Sequence, residues 1–87
     1  MAKPKKRGKQ KLPTLEAVDL IRVIRADGWY EVDGTKHLAF EHATKDGKVS
    51  IDEKWEHLRL GDWVTRSVLE QASMTRAEFE KLYWETR

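Results

Sequence analysis

Apolar residues recur early in the chain at Ala17, Leu20, Ile21 and Ile24, the i, i+3, i+4, i+7 spacing of one helix face, while Glu16, Asp19 and Arg22 project elsewhere. Pro13 and Thr14 precede this stripe. Thr14 is the expected N-cap, with Glu16 and Asp19 in the first turns, where the helix dipole favours anions. Asp27 and Gly28 end the helix. The period then changes: residues 29–33 are rich in aromatic and β-branched side chains, Gly34 punctuates, residues 36–42 follow, and Asp46-Gly47 precedes residues 48–52. Three strands in a meander are the economical reading. Asp-Gly is a hairpin signal, here inside a loop (residues 43–48) longer than a two-residue turn. Residues 55–60 have no clear period and read as a connection ending at Gly61 and Asp62, a second N-cap. Val64, Val68 and Ala72, with Thr65 and Leu69 alongside, form a second helical stripe that breaks at Ser73 and Met74. Thr75-x-x-Glu78 is a capping box, and the helix it opens carries Phe79, Leu82 and Tyr83, a stripe suited to a core or docking surface rather than a cofactor. The order is helix, three strands, then helices. It predicts an α+β fold, an antiparallel sheet with one face covered by helices and the other open.

Composition narrows the picture. Eighty-seven residues supply a core for one small domain, and 39% hydrophobic residues with four Trp are too many for wholesale disorder. The absence of cysteine excludes disulfide scaffolds, thiolate zinc sites and thiol nucleophiles. The net charge of +2 hides a split. Lys3, Lys5, Lys6, Arg7, Lys9 and Lys11 put six cations and no anion into the first eleven residues, whereas residues 12–87 carry 11 Lys or Arg against 15 Asp or Glu, a balance of −4. The pI near 9.0 therefore reports the tail. Residues 1–12 read as a basic flexible tail and residues 13–87 as a single domain. The tail is either a solvated arm or a phosphate contact, with Lys5, Lys6 and Arg7 as its RNA-binding candidates. Glu16 and Asp19 interrupt any signal-peptide core, and no apolar run approaches the ~18 residues of a membrane span. A cytoplasmic protein, with no membrane partner, is expected.

One residue stands out for chemistry. Alternation through the second strand puts Leu38 and Phe40 on the covered face and His37, Ala39 and Glu41 on the solvent side. An exposed imidazole can take and give a proton near neutral pH, which suits attack of a ribose 2′-OH on its neighbouring phosphate. Such a reaction draws its nucleophile from RNA and needs no metal or small-molecule cofactor. Gly34 allows close backbone approach, Thr35 offers a hydroxyl and an amide, and Lys36 adds positive charge, so these three are the candidate RNA-binding residues beside a catalytic His37. His37 and His42 differ by five positions and face opposite ways in a regular strand, so they cannot share a metal. His57 is a further proton-transfer candidate in an unpatterned stretch. Asp52, Glu53 and Glu56 read as a solvated acidic loop before a cation site. Trp29 is expected at the sheet edge, whereas Trp55, Trp63 and Trp84 fall outside the core stripes and mark a candidate partner surface. No dinucleotide, P-loop or nucleophile-elbow motif occurs.

Three segments carry a family resemblance: Ile24-Arg25-Ala26-Asp27-Gly28-Trp29, Gly34-Thr35-Lys36-His37-Leu38-Ala39-Phe40 and Thr65-Arg66-Ser67-Val68-Leu69-Glu70-Gln71-Ala72. Over roughly residues 15–84 the chain resembles the HicA toxins. The resemblance implies a double-stranded-RNA-binding-domain-like fold, endoribonuclease activity on mRNA, and silencing by a cognate HicB-like antitoxin that covers the face carrying His37. It puts His37 at the family's catalytic histidine, Thr35 where the family commonly has Ser, Gly34 at the turn glycine, and residues 65–72 in a packing helix. After the third strand the family often has a proline with a basic residue or histidine nearby. Here Asp52-Glu53-Lys54-Trp55 is more acidic, and the basic arm is longer than usual. Two further readings stay open: a non-catalytic RNA-binding module, and a protein-interaction domain docking through its free sheet edge or Trp-bearing helices.

Overall fold

The computed structural model describes residues 12–87, and its first β-type contact is a two-way bridge between Leu15 and Leu58. The Leu15 N–H donates to the Leu58 carbonyl at 2.7 Å and the Leu58 N–H donates back at 2.8 Å. That bridge buries Leu15 completely and carries extended backbone past Thr14. Helix α1 (Ala17–Ala26) therefore starts later than Thr14 predicts, with Glu16 as its N-cap and the Glu16 N–H donating to Asp19 Oδ2 at 2.8 Å. Magnitudes explain the correction. A buried leucine contributes about 1.5–3 kcal/mol, whereas a threonine cap contributes about 1 kcal/mol, and Asp19 caps the later start anyway. Ala17, Leu20 and Ile24 point into the core as expected, but Val23 rather than Ile21 completes the buried face.

Gly28 turns the chain from α1 into the sheet at φ +105°, and an added Cβ would sit 2.7 Å from His42 Nε2. Strands β1 (Trp29–Val32), β2 (Leu38–His42) and β3 (Val49–Ile51) pair antiparallel in the order β1-β2-β3. Tyr30 lies opposite Glu41, Val32 opposite Ala39, and Ala39 opposite Ser50. The strands are shorter than the periodicity suggests: Asp33, Lys36, His37, Lys48 and Asp52 all belong to the connections. Trp29, Phe40, Val49 and Ile51 face the core. Trp55, expected outside the core, packs partly against it, leaving Trp63 and Trp84 as the exposed tryptophans.

Asp62 is the N-cap of α2 (Trp63–Gln71), whose buried face of Thr65, Val68 and Leu69 continues into Ala72. The helix ends in a Schellman turn. Ser73 adopts φ +52°, its N–H bonds the Glu70 carbonyl, and the Met74 N–H bonds the Leu69 carbonyl at 2.9 Å. Thr75 and Glu78 form the expected capping box of α3 (Arg76–Glu85), with Phe79 and Tyr83 buried where α3 meets α1. One polar cluster ties the layers. Lys45 Nζ lies 2.7 Å from Asp27 Oδ2 and 3.1 Å from the Ala72 carbonyl, so the β2–β3 loop is held to both the α1–β1 turn and the end of α2. Beside it, His42 Nδ1 accepts from the Thr44 and Lys45 N–H groups, which leaves Nε2 to donate to the Asp27 carbonyl at 2.7 Å. The helices share one core with Trp29, Phe40, Val49 and Ile51, so the opposite face, that of Tyr30, Ala39, Glu41 and Ser50, is the one they leave uncovered. Among the described residues, no helix is long and apolar enough to cross a membrane.

Candidate active site

The connection between β1 and β2 folds back over the start of β2. A Cβ on Gly34 would overlap the His37 carbonyl oxygen and come within 3.4 Å of the Ala39 side chain. Gly34 is thus required by the loop's own packing, before any ligand is considered. The same fold-back covers Ala39, which is on the outer face as alternation predicts yet only 9% exposed, against the expectation of a solvent-side residue. His37 lies one residue before β2 and not within it. Its side chain is 47% exposed, and its Nδ1 is 4.0 Å from Asp52 Oδ2.

Two clefts flank this loop. The first, of 360 Å³, opens onto the uncovered sheet face, where Thr35, Lys36, His37 and Ala39 meet Lys48 and Ser50 from the other side of the sheet. The second, of 270 Å³, shares the loop residues but is closed off by Glu31 and Glu53. Their charges differ in sign. Lys36 and Lys48 stand against Asp33 alone in the first, whereas Glu31, Asp33 and Glu53 outnumber Lys36 in the second. The lining of the first thus has more cations than anions and that of the second more anions than cations, while Glu41 beside Lys48 and Asp52 beside His37 add negative charge next to the first. Lys48 is held loosely, 3.6 Å from Glu41 with its side chain 61% exposed, so it is free to turn toward an anion.

The structure therefore brings together Gly34, Thr35, Lys36 and His37, and adds Lys48 and Ser50, which the linear pattern does not single out. Their signal is the strand register. With Ala39 opposite Ser50, the residues that flank the ladder meet as well, Lys48 3.6 Å from Glu41 and Asp52 4.0 Å from His37. Lys5, Lys6 and Arg7 lie outside the described residues. His57 lines neither cleft beside His37; it sits at φ +57° next to the Leu15–Leu58 bridge. His42 is committed to its backbone partners. Among the described residues, no group of three carboxylates or histidines converges to hold a metal, and that includes Asp52, Glu53 and Glu56.

Chemically, the arrangement offers one water-accessible imidazole, two ammonium groups and hydroxyls at Thr35 and Ser50 around a shallow anion-sized cleft. It can move a proton and hold a phosphodiester. No protein-family model, curated protein or solved structure matches the chain.

Proposed function

We propose that this protein is a metal-independent endoribonuclease toxin of the HicA type, acting on mRNA in the cytoplasm, with a double-stranded-RNA-binding-domain-like fold and a cognate HicB-like antitoxin as its inhibitor. The observation that carries the reading is the half-exposed His37 in a cleft whose lining has more cations than anions, on the face that the helices leave bare. The resemblance through residues 24–29, 34–40 and 65–72 supports it, and so does the order of elements.

In the reaction, a phosphodiester sits between Lys36 and Lys48, and His37 takes the proton of the adjacent ribose 2′-OH. The 2′-oxygen bonds to phosphorus, the bond from phosphorus to the 5′-oxygen breaks, and that oxygen leaves with a proton returned from the imidazolium or from water. The products are a 2′,3′-cyclic phosphate and a 5′-hydroxyl. DNA, lacking the 2′-OH, is not cut. Lys36 and Lys48 neutralise charge that accumulates on the phosphorane oxygens, and the Thr35 and Ser50 hydroxyls add hydrogen bonds.

The test compares wild type with His37→Ala for growth arrest on induction and for cleavage of purified RNA. Cleavage by wild type should persist in EDTA, and His37→Ala should lower its rate by about 10²–10⁴-fold, the usual share of a general base. Equal toxicity of the two proteins removes His37 from the mechanism. The exposed Trp63, 75% accessible at the start of α2, favours a protein-docking role as the second reading. A copurifying partner that suppresses cleavage supports the toxin, whereas one bound to a protein with no activity to suppress supports docking alone.

A further inference from the structure

Asp52 is an odd neighbour for a phosphate site. Its carboxylate repels the substrate, yet the fold aims it at the imidazole. Leu38 pairs with Ile51 at the end of the β2–β3 ladder, and just beyond it His37 and Asp52, the residues that flank this pair, come within 4.0 Å of one another. The carboxylate is fixed from behind: Oδ1 accepts the Lys54 N–H at 2.9 Å, and the Asp52 carbonyl accepts the Trp55 N–H at 3.0 Å. Trp55 is itself packed on the core, and its carbonyl accepts the Ala17 N–H at the start of α1. With Oδ1 engaged, Oδ2 is the oxygen left for His37, 4.0 Å from Nδ1.

Resting on the endoribonuclease reading, we propose that Asp52 is a positioning residue that selects the tautomer of His37. The separation is longer than a hydrogen bond, and a small rotation of the exposed ring closes it, as catalytic contacts commonly tighten when substrate binds. The Nδ1–H then donates to Oδ2, and Nε2 keeps its lone pair as the ring nitrogen available to the RNA. An unassisted imidazole in water favours the opposite tautomer, with hydrogen on Nε2 and no base facing the RNA. After the 2′-OH proton has moved to Nε2, the carboxylate also steadies the imidazolium.

Position and charge predict opposite signs. If Asp52 acts on RNA only as a negative charge, its removal tightens binding and speeds cleavage. If it positions His37, its removal lowers kcat while KM stays level or falls. Asp52→Asn is the discriminating change, because the amide oxygen keeps the Lys54 N–H while its NH₂ replaces Oδ2 and donates to Nδ1. Asp52→Ser, whose hydroxyl also accepts from Lys54, is the second variant should the first fold poorly. The readout is the two-bond ¹H–¹⁵N spectrum of the His37 ring at a pH where it is neutral and with an uncleavable 2′-deoxy oligonucleotide bound, together with kcat and KM on one RNA. Wild type should show predominantly Nδ1–H, both variants predominantly Nε2–H, and kcat should fall about 10–100-fold, part of the full general-base effect. The same tautomer in all three proteins, or a rise in kcat on removing the carboxylate, overturns the proposal. The two readings separate cleanly. Unchanged tautomers with cleavage abolished in His37→Ala sink the positioning role and leave the nuclease standing. A tautomer switch with cleavage unaffected by His37→Ala supports the pairing and removes His37, and with it the proposed mechanism, from the chemistry.

Discussion

At the scale of single residues, the site depends as much on an absent side chain as on those present. Gly34 lies against the His37 carbonyl, and backbone on both sides leaves no flexible group to yield, so Gly34→Ala must push the loop off β2. A forced shift of packed backbone costs about 1–3 kcal/mol, or a fall in Tm of about 4–8 °C for each kcal/mol in a domain of this size. The substitution should also displace His37 and reduce RNA cleavage. Thermal melting and a cleavage assay on the same protein check both, and unchanged values in each mean that the loop does not need its close approach. The exposure of His37 was legible in the sequence, although the alternation that suggested it assumes a strand that in fact begins one residue later, at Leu38. The place of Asp52 beside it was not. Alternation orders residues along a strand and says nothing about which residue of the next strand stands opposite, so Asp52 read only as part of an acidic loop. Trp55 was misplaced for a related reason: it sits in a segment with no period, and only the turn begun by Asp52 swings it onto the core.

At the scale of elements, the helices were the most readable parts, because amphipathic spacing and caps act within a few residues. Asp62 and the Thr75–Glu78 box mark their helices as expected. The start of α1 departs from the pattern because Leu58, far along the chain, holds Leu15 in an extended bridge. Long-range partners also decide how the elements are joined. Lys45, in the loop that carries the Asp-Gly signal and is longer than a two-residue turn, bonds Asp27 and the Ala72 carbonyl and so links α1, the sheet and α2. Its side chain is only 28% exposed, and its ammonium serves one of the carbonyls left unpaired at the α2 terminus. Lys45→Met keeps the stem packing but takes the ammonium from that carbonyl and from the Asp27 carboxylate, which retains the Trp29 Nε1–H at 3.2 Å, and should cost about 1–3 kcal/mol. Chemical denaturation measures the loss. Since the cluster stands away from the His37 cleft, cleavage at a temperature where the variant is folded should stay near wild type; a normal stability would show that water replaces the ammonium at no cost.

At the scale of the whole molecule, the sequence joins an acidic body to a basic N-terminal segment, and under the proposed function the two should act on RNA in opposite directions. Residues 12–87 carry −4 and residues 1–11 carry +6. The cleft at His37 is lined by Lys36 and Lys48 against Asp33, with Asp52 and Glu41 close by, and it is set within a body whose net charge repels a polyanion at longer range. Affinity for RNA should then come mainly from the arm, and chemistry from the sheet face. Binding that neutralises phosphates releases counterions, and the slope of log K against log[salt] shrinks by roughly 0.7 for each single-strand phosphate that the protein no longer neutralises. Removing residues 1–11 should therefore flatten the slope by up to about 4, if all six cations engage phosphates, and raise KM at moderate salt while leaving kcat at saturating RNA unchanged. Lys36→Ala and Lys48→Ala should behave differently: a slope change of about 0.7 each, with kcat lowered because in the proposed reaction those groups contact the reacting phosphate. Titrations of a short single-stranded RNA at several salt concentrations, paired with cleavage kinetics, separate the two effects. A slope that stays the same after truncation assigns the arm to solubility, and the His37 cleft must then attract RNA without it.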